Sequence, residues 1–250
     1  MTVDDIKPSI ADPNAPVWEQ LPDWEQHYGL FQMQFSEFLR QEPAIAGRVL
    51  DIGCGGRLHP TLAHVRARCH QMDGVDPGPE VMENPNLTLR WQSPFETADI
   101  PADTYDAAIS YYVVEHIKDP SGFLRAVHRV LKPGGIFWAM TPHRNHPFCQ
   151  LVLLAQWLGL KKEMAQRNSG INDYPAYYRL NRSSSVMKRA RESGFDDVHF
   201  HYLLSPNWYK GYAPRALWWM LWTYDAMFSS RFEKLRQILA FRLKKDNSME

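Results

Sequence analysis

The sequence has few cysteines, no long apolar run and no excess of charge of either sign. Its three cysteines, Cys54, Cys69 and Cys149, lie far apart in a chain of 250 residues. That spacing argues against a disulfide framework and against a CxxC metal site. Lys and Arg together number 28, as do Asp and Glu, so the formal net charge is +0. A balanced charge disfavours a nucleic-acid partner, because proteins that bind nucleic acid carry a basic surface.

Membrane-spanning and exported proteins are disfavoured as well. No apolar run reaches the roughly 18 residues of a transmembrane helix. Residues 1–23 are acidic and interrupted by proline, without the basic and apolar regions of a signal peptide. We therefore expect a cytoplasmic protein, with peripheral contact with a membrane as an open alternative.

The length favours one α/β domain with insertions. Apolar residues at helical spacing between Trp24 and Arg40 predict an amphipathic helix ahead of that domain. We expect residues 1–46 to form a leader and a cap helix, and residues 47–250 to form the main domain. Within the main domain, insertions are expected at about 143–182 and at about 205–236.

From Arg48 onward, short apolar runs alternate with helical stretches, a pattern typical of parallel βαβ units. The predicted strands are Arg48–Ile52, Gln71–Val75, Leu87–Trp91, Tyr105–Ser110, Gly135–Met140, Val198–Leu203 and Ile238–Leu243. The predicted helices are Pro120–Leu131, Phe148–Leu160, Ser183–Ser193 and most of Tyr212–Arg236. This order of elements predicts an α/β fold around a largely parallel sheet.

A glycine turn follows the first predicted strand, in the segment Val49–Gly56. Glycines at such a turn let backbone N–H groups approach a ligand closely. The dinucleotide fingerprint GxGxxG is not met, because its third glycine would fall on Leu58, and this disfavours a nicotinamide oxidoreductase. Asp76 closes the second strand about twenty residues later, at the spacing from which a carboxylate accepts hydrogen bonds from both ribose hydroxyls of an adenosine.

Four blocks together carry a family resemblance. They are Val49–Gly56, Val75-Asp76-Pro77, Tyr105-Asp106 followed by Val114-Glu115-His116, and Leu131-Lys132-Pro133-Gly134-Gly135. In this order they resemble class I S-adenosylmethionine-dependent methyltransferases, and they are most similar to the small-molecule branch of the ubiquinone-biosynthesis type. The resemblance implies a Rossmann-like, seven-stranded sheet with an antiparallel last strand, an N-terminal helical cap and helical insertions.

The resemblance also implies a cofactor and its contacts. The methionyl part of S-adenosylmethionine would contact Asp51, Gly53, Cys54 and Gly55, and Tyr111 and Tyr112 would flank it. The ribose would contact Asp76 and Pro77. The adenine would contact Ser93, Pro94 and Phe95. Two positions depart from the family pattern. Arg57 stands at the usual third glycine, and the acidic residue for the adenine amine is missing or displaced to Glu96.

The expected reaction is transfer of a methyl group to oxygen or carbon of a small, hydrophobic or amphipathic metabolite. His116, just past the fourth strand, is the first candidate general base, and His143 and His146 are weaker candidates; a structural role for each remains open. No HExxH spacing occurs and the cysteines are scattered, so we expect no metal site. The alternative function is a non-catalytic protein that binds S-adenosylmethionine and a partner.

The acceptor region is expected in the two insertions. Tyr177, Tyr178 and Arg179 are candidate acceptor contacts, although Tyr and Arg also cover apolar cores with their amphipathic side chains. The tryptophan-rich stretch Ala216–Tyr224 is too apolar for a solvated helix. Three roles remain open for this stretch. It could pack against the helix Phe148–Leu160, it could close over the acceptor or contact a second copy of the chain, or it could dock on a membrane.

Overall fold

The computed structural model describes residues 29–159, 175–205 and 214–247, together with Ala15, Pro16 and Glu19. Three predicted regions lie partly outside the described residues. They are most of the leader with the predicted start of the cap helix at Trp24, part of the first insertion, and the first residues of Tyr212–Arg236.

The described residues form a seven-stranded sheet with the order β3-β2-β1-β4-β5-β7-β6. The strands are β1 Arg48–Ile52, β2 Gln71–Asp76, β3 Arg90–Gln92, β4 Tyr105–Tyr111, β5 Leu131–Pro142, β6 Phe195–Leu203 and β7 Ile238–Lys245. The pairs β1–β2, β1–β4, β2–β3 and β4–β5 are parallel, whereas β7 is antiparallel to both β5 and β6. The prediction of a seven-stranded methyltransferase-type sheet with an antiparallel last strand is confirmed.

Six α-helices pack around or beyond this sheet in the described part of the chain. They are α1 Leu30–Gln41, α2 Ala63–Arg68, α3 Pro120–Val130, α4 Pro147–Trp157, α5 Ser183–Glu192 and α6 Arg215–Tyr224. Local chemistry sets their ends. The Asp119 side chain accepts hydrogen bonds from the N–H groups of Ser121 and Gly122 at the start of α3, and Gly194, with φ of +91°, follows α5.

The fifth strand begins earlier than the sequence predicts. Its first residue is Leu131, which pairs with Tyr105, and an irregularity in the ladder follows before Ala107 pairs with Ile136. Gly134, with φ of +75°, lies inside that irregularity. The Lys132–Gly135 stretch is therefore a bulged part of the strand, because glycine takes up the backbone conformation that a bulge needs. The preceding helix ends before this stretch, at Val130.

Two apolar layers cover the faces of the sheet. Along β4 the side chains alternate, so that Ala108 faces one layer while Ala107 and Ile109 face the other. Helices α3 and α5 build the first layer, and α1 and α2 build the second with residues such as Phe35 and Val65. The cap helix α1 thus shares its core with the sheet, which fixes its position relative to the strand ends.

A buried carboxylate holds the middle of β2 in place. The Asp73 side chain is fully buried and accepts hydrogen bonds from Tyr105 Oη at 3.0 Å, from Arg48 Nε at 2.9 Å and from the N–H of Leu89 at 3.0 Å. Such a charge is tolerated inside a protein only when it is paired and hydrogen-bonded. The network ties β2 to the first residues of β1 and β4, Arg48 and Tyr105, on the amino-terminal side of these parallel strands.

Replacing Tyr105 by Phe removes one of these donors without changing the packing of the ring. We expect Tyr105→Phe to lower the free energy of unfolding by about 1.5–3 kcal/mol, the range for a hydrogen bond to a charged group. Urea unfolding measures this change, with Tyr177→Phe, on a partly exposed ring, as the matched control. An unfolding free energy equal to that of the unaltered protein would show that the Tyr105 hydrogen bond contributes nothing.

The tryptophan-rich helix α6 does not pack into the core as one interpretation of the sequence proposed. Leu221 is its buried residue, whereas Trp219 and Trp222 are 47% and 37% exposed. Among the described residues, no helix is long and apolar enough to cross a bilayer. The exposed rings of α6 therefore belong to a surface.

Candidate functional site

Strands β1 to β5 all run in the same direction, so their carboxyl ends meet at one edge of the sheet. The predicted residues Asp51, Asp76, Ser93 and Tyr111 each lie at or just beyond one of these ends. Ligands bind at this edge in open α/β folds. The fold thus brings these four residues, which are distant in sequence, to one edge of the sheet.

The glycine turn after β1 contains two glycines with different surroundings. Gly53 has φ of +78°, and a Cβ atom built on it would lie 2.2 Å from a methyl carbon of Val113. Gly55 has φ of +54°, and a Cβ atom there would meet no heavy atom within 4 Å. Both positions need glycine for their backbone conformation. At Gly55 the backbone also faces open space that a ligand can fill.

Asp76 ties this turn to the end of β2. Its Oδ2 accepts a hydrogen bond from the N–H of Gly55 at 3.0 Å, and its Oδ1 accepts one from the N–H of Gly78 at 2.7 Å. A carboxylate has about four acceptor sites, so both oxygens keep capacity for a pair of hydroxyl groups. Pro77, the next residue, is exposed.

Asp51 carries a strongly perturbed carboxyl group next to the same turn. Its side chain is buried, and burial together with the charge of Asp76 raises the pKa of Asp51 to about 7. Two carboxylates at neighbouring strand ends disfavour each other's ionisation. A cationic ligand relieves this repulsion, so the site is suited to a positively charged group.

Cys54 contributes its thiol to the core. A Cβ atom built on Gly74 would lie 2.6 Å from Cys54 Sγ, and Leu87 approaches from the same side. Burial is the largest cause that raises the pKa of the Cys54 thiol. The thiol is therefore a packed, un-ionised group on the α1 side of the sheet.

The segment after β3 lies beside Asp76, because the N–H of Ser93 donates to the Asp76 carbonyl at 3.1 Å. Phe95 is 5% exposed and its ring lies edge-on against Phe123, with centroids 5.5 Å apart. This places the Phe95 ring in the core beneath the segment. Pro94 and the exposed Glu96 remain on its outer side.

Pro94 and Glu96 line an open cavity of about 610 Å³. The other lining residues are Thr97, Lys118, Asp119, Pro120, Gly122, Arg179 and Arg189. The predicted adenine segment and one of the predicted acceptor contacts, Arg179, therefore share a cavity.

Tyr111 and Tyr112 form an aromatic cluster with the cap helix. Tyr111 lies 5.9 Å from Phe35 and 4.8 Å from His59 between ring centroids, and Tyr112 lies 6.5 Å from Phe31. Burial lowers the pKa of His59 to about 4, so this ring is neutral at neutral pH. Sequence patterns predicted the cap helix but did not single out its phenylalanine rings as contacts of the two tyrosines.

His116 is held by the backbone of the first insertion. Its Nδ1 lies 2.9 Å from the carbonyl oxygen of Pro175. A carbonyl only accepts, so Nδ1 carries the proton and Nε2 carries the lone pair of the neutral ring. The ring is partly exposed.

The neighbouring Glu115 organises the same region from inside. Thr141 Oγ1 donates to Glu115 Oε2 at 2.9 Å, and Asn181 Nδ2 donates to Thr141 Oγ1 at 2.6 Å. The carbonyl of Glu115 accepts from the N–H groups of Tyr177 and Tyr178 at 2.7 and 3.0 Å. Asn181, which the sequence gave no reason to select, is fully buried.

The three predicted acceptor contacts have different surroundings. Tyr178 is 5% exposed and packs with Cys149 and Val152, and burial raises the pKa of its hydroxyl. Tyr177 is partly exposed, with the Arg179 guanidinium 5.5 Å from its ring centroid. Arg179 Nη1 also donates to the Lys118 carbonyl at 2.6 Å. Tyr177 and Arg179 are accessible, whereas Tyr178 is part of the core.

His143 and His146 are placed differently from the prediction that they face the pocket as bases. Both are 1% exposed. His143 Nδ1 donates to the Arg236 carbonyl at 3.1 Å, and burial lowers the pKa of His143 to about 4. His146 Nδ1 accepts from the N–H of Phe148, and Nε2 donates to Asp225 Oδ1 at 3.0 Å. These bonds give both rings a structural role.

Asp51 makes stability depend on pH. Its folded-state pKa of about 7 lies above the ordinary 3.8, so its contribution to stability is present below about pH 4 and is lost as the pH rises to about 7. We expect Asp51→Asn, which cannot ionise, to become more stable relative to the unaltered protein between those two values. Urea unfolding across this range measures the difference, with Glu96→Gln at an exposed site as the control. A difference that stays constant with pH would contradict the raised pKa.

Comparison with known proteins agrees with this geometry. A sequence model described as a methyltransferase domain matches residues 24–200, more than half of the chain. The ubiquinone biosynthesis O-methyltransferase of Cereibacter sphaeroides is 33% identical over 121 residues, which are 44% of this chain and 48% of that protein. The chain thus spans about half the length of this curated relative.

Two solved structures share the fold. Haemonchus contortus phosphoethanolamine N-methyltransferase 2, in complex with S-adenosyl-L-methionine, superposes with a TM-score of 0.53 at 16% identity and covers 80% of this chain and 49% of that one. YcgJ from Bacillus subtilis superposes with a TM-score of 0.51 at 17% identity, covering 86% and 98%. With the matched domain and the ordered strand-end residues, these findings show that the chain belongs to the class I S-adenosylmethionine-dependent methyltransferase family.

Proposed function

We propose that the chain transfers the methyl group of S-adenosylmethionine to oxygen or carbon of a small, hydrophobic or amphipathic acceptor. The observation that carries this proposal is the pair Asp51 and Asp76 at adjacent strand ends, next to the open backbone at Gly55. Family membership favours an enzyme over the non-catalytic alternative. The names of the curated relatives favour an oxygen acceptor over carbon.

The charged and polar groups of the site fit this cofactor. S-adenosylmethionine carries an ammonium group and a sulfonium, which suit the buried carboxyl of Asp51. Its ribose diol suits the remaining acceptor capacity of Asp76, with Pro77 beside it. The backbone of Gly53, Cys54 and Gly55 would line the methionyl part. Ser93 and Pro94 would border the adenine, with Phe95 as a support beneath them.

The bound cofactor supplies an electrophilic methyl group, so the protein's main contribution is alignment. Fixing an acceptor in line for attack is worth an effective molarity on the order of 10⁵–10⁸ M. The aromatic cluster of Tyr111 and Tyr112 with Phe31 and Phe35 keeps water away from the strand ends. Exclusion of water also strengthens the electrostatic interactions of the two carboxylates.

His116 would accept the proton of a hydroxyl acceptor. The Pro175 carbonyl accepts the Nδ1 proton, so Nε2 is the ring nitrogen that would take the proton of the acceptor. Tyr177 and Arg179 would contact the polar part of the acceptor, since both are accessible and both are held in place. The Tyr177 N–H donates to the Glu115 carbonyl, and the Arg179 side chain donates to the Lys118 carbonyl. We assign Tyr178, His143 and His146 to the framework that holds these groups.

We also propose how the chain is divided into a leader, a main domain and two insertions. Residues 1–46 would form the leader and cap helix, and residues 47–250 the cofactor-binding domain, with insertions at about 143–182 and about 205–236 bordering the acceptor pocket. The second insertion exposes aromatic side chains, which suits a contact either with a membrane or with a second copy in a homodimer.

Calorimetry with S-adenosylmethionine and its demethylated product tests the cofactor site. We expect Asp76→Ala to weaken binding by about 1.5–3 kcal/mol, because hydrogen bonds to a charged acceptor are lost. Asp76 also holds Gly55 and Gly78, so Asp76→Asn, which keeps one acceptor oxygen, should lose less. Absence of binding by the unaltered protein would end the proposal, and full binding by a folded Asp76→Ala would end the ribose assignment.

Transfer of a labelled methyl group into an organic extract of cells, followed by mass spectrometry of the product, tests the reaction. We expect His116→Asn to lower turnover about 10²–10⁴-fold while cofactor affinity stays nearly unchanged, because a positioned base contributes that factor. His199→Asn, an exposed histidine on β6, is the matched control. If turnover and cofactor affinity fall together, His116 belongs to the cofactor pocket and is not the base.

A further inference from the structure

The segment between β6 and β7 turns its apolar side chains toward solvent. We define the aromatic surface as Trp219, Met220, Trp222, Met227, Phe228 and Phe232, each of which is at least 37% exposed. The rings of Trp219 and Trp222 lie 5.6 Å apart, and Trp218 lies 4.7 Å from Trp219. These contacts join the three tryptophans into one cluster, unlike the single exposed apolar residues of an ordinary surface.

A buried carboxylate anchors the same segment from inside. Asp225, directly after α6, is 1% exposed and accepts from His146 Nε2 at 3.0 Å and from Gln237 Nε2 at 2.7 Å. The N–H of Ser205 in turn donates to Gln237 Oε1 at 2.8 Å. A water-facing helix has the opposite arrangement, with polar residues outside. The segment is thus anchored by buried hydrogen bonds while it presents apolar groups outside.

The aromatic surface belongs to an insertion at the edge of the sheet that carries the proposed site. The insertion leaves β6 after Leu203 and enters β7 at Ile238, and these two residues pair with each other. Ile238 also pairs with Pro142, the last residue of β5. A partner on the aromatic surface therefore meets a structure that grows from the carboxyl edge of the sheet.

The charged residues around the aromatic surface favour a negatively charged partner. In the described residues 214–235, the exposed charged groups are the cations of Arg215, Arg231 and Lys234 and the carboxylate of Glu233. A second copy of the chain would bring these cations together across a twofold axis. A negatively charged lipid surface attracts them, and Trp and Phe side chains prefer the headgroup region of a bilayer.

We propose that the aromatic surface docks on an anionic lipid bilayer. The rings would enter the headgroup region, and Arg215, Arg231 and Lys234 would lie near the lipid phosphates. The purpose of docking rests on the proposed function, since an apolar acceptor dissolved in the bilayer would be collected at the edge that holds the site. Docking itself requires neither cofactor nor acceptor.

Co-sedimentation of the full chain with vesicles tests this proposal. Vesicles of equal parts phosphatidylcholine and phosphatidylglycerol should carry the protein down, and vesicles of phosphatidylcholine alone should carry down much less. We expect Trp219→Ser combined with Trp222→Ser to weaken binding by at least about tenfold. Arg231→Gln and Lys234→Gln should each weaken binding to the anionic vesicles by about fivefold. Trp157→Ser, at an 81% exposed tryptophan on α4 outside the aromatic surface, should bind like the unaltered protein.

The outcomes separate docking from catalysis and from self-association. Absence of sedimentation with anionic vesicles, or equal sedimentation of the double tryptophan variant in folded form, overturns the proposal. The proposal is also overturned if light scattering shows a dimer that the tryptophan substitutions dissociate, and the unaltered protein does not bind vesicles. Calorimetry on the same samples keeps the proposed function apart. A chain that binds vesicles without binding S-adenosylmethionine contradicts the function, whereas the reverse result contradicts the docking.

Discussion

One carboxylate joins the parts from which the site is built. Asp76 ends β2 and accepts backbone hydrogen bonds from the glycine turn after β1 and from the loop that follows β2 itself. Burial, together with the charge of Asp76, also raises the pKa of Asp51 at the same edge. The turn, the strand end and the second carboxyl group are thus mechanically and electrostatically coupled. A cationic cofactor bound between Asp51 and Asp76 would offset the repulsion between the two carboxylates, whereas a neutral ligand of similar shape would not.

The repeating parts of the fold were predictable from sequence because they follow local patterns. The bounds of β1 agree with the prediction, and Gly194 ends α5 as expected, since strand alternation and glycine chemistry act over a few residues. The position of Asp51 and Asp76 at one edge was predictable as well, because the carboxyl ends of parallel strands meet on the same side of a sheet. The start of β5 was missed because the bulge at Gly134 depends on pairing with Tyr105, which is distant in sequence.

Side-chain roles were harder to predict because burial is a property of the whole fold. His143 and His146 follow a strand end like true site residues, yet the second insertion covers both and turns them into hydrogen-bonding supports. Phe95 lies in the predicted adenine segment, but its ring packs in the core against Phe123. Asn181 is deeply buried beside Thr141 and had no sequence signal at all, since its partners come from other elements.

The contacts that hold residues 175–179 against residues 115–118 use main-chain groups to a large extent. The Glu115 carbonyl accepts from two consecutive amides, and the carbonyls of Pro175 and Lys118 receive the other bonds. Main-chain contacts do not depend on which side chain a residue bears. A position such as Tyr177 is therefore free to change identity over evolutionary time without losing its place in the wall of the pocket. In this architecture, a new acceptor preference can arise by single substitutions while the supporting framework stays the same.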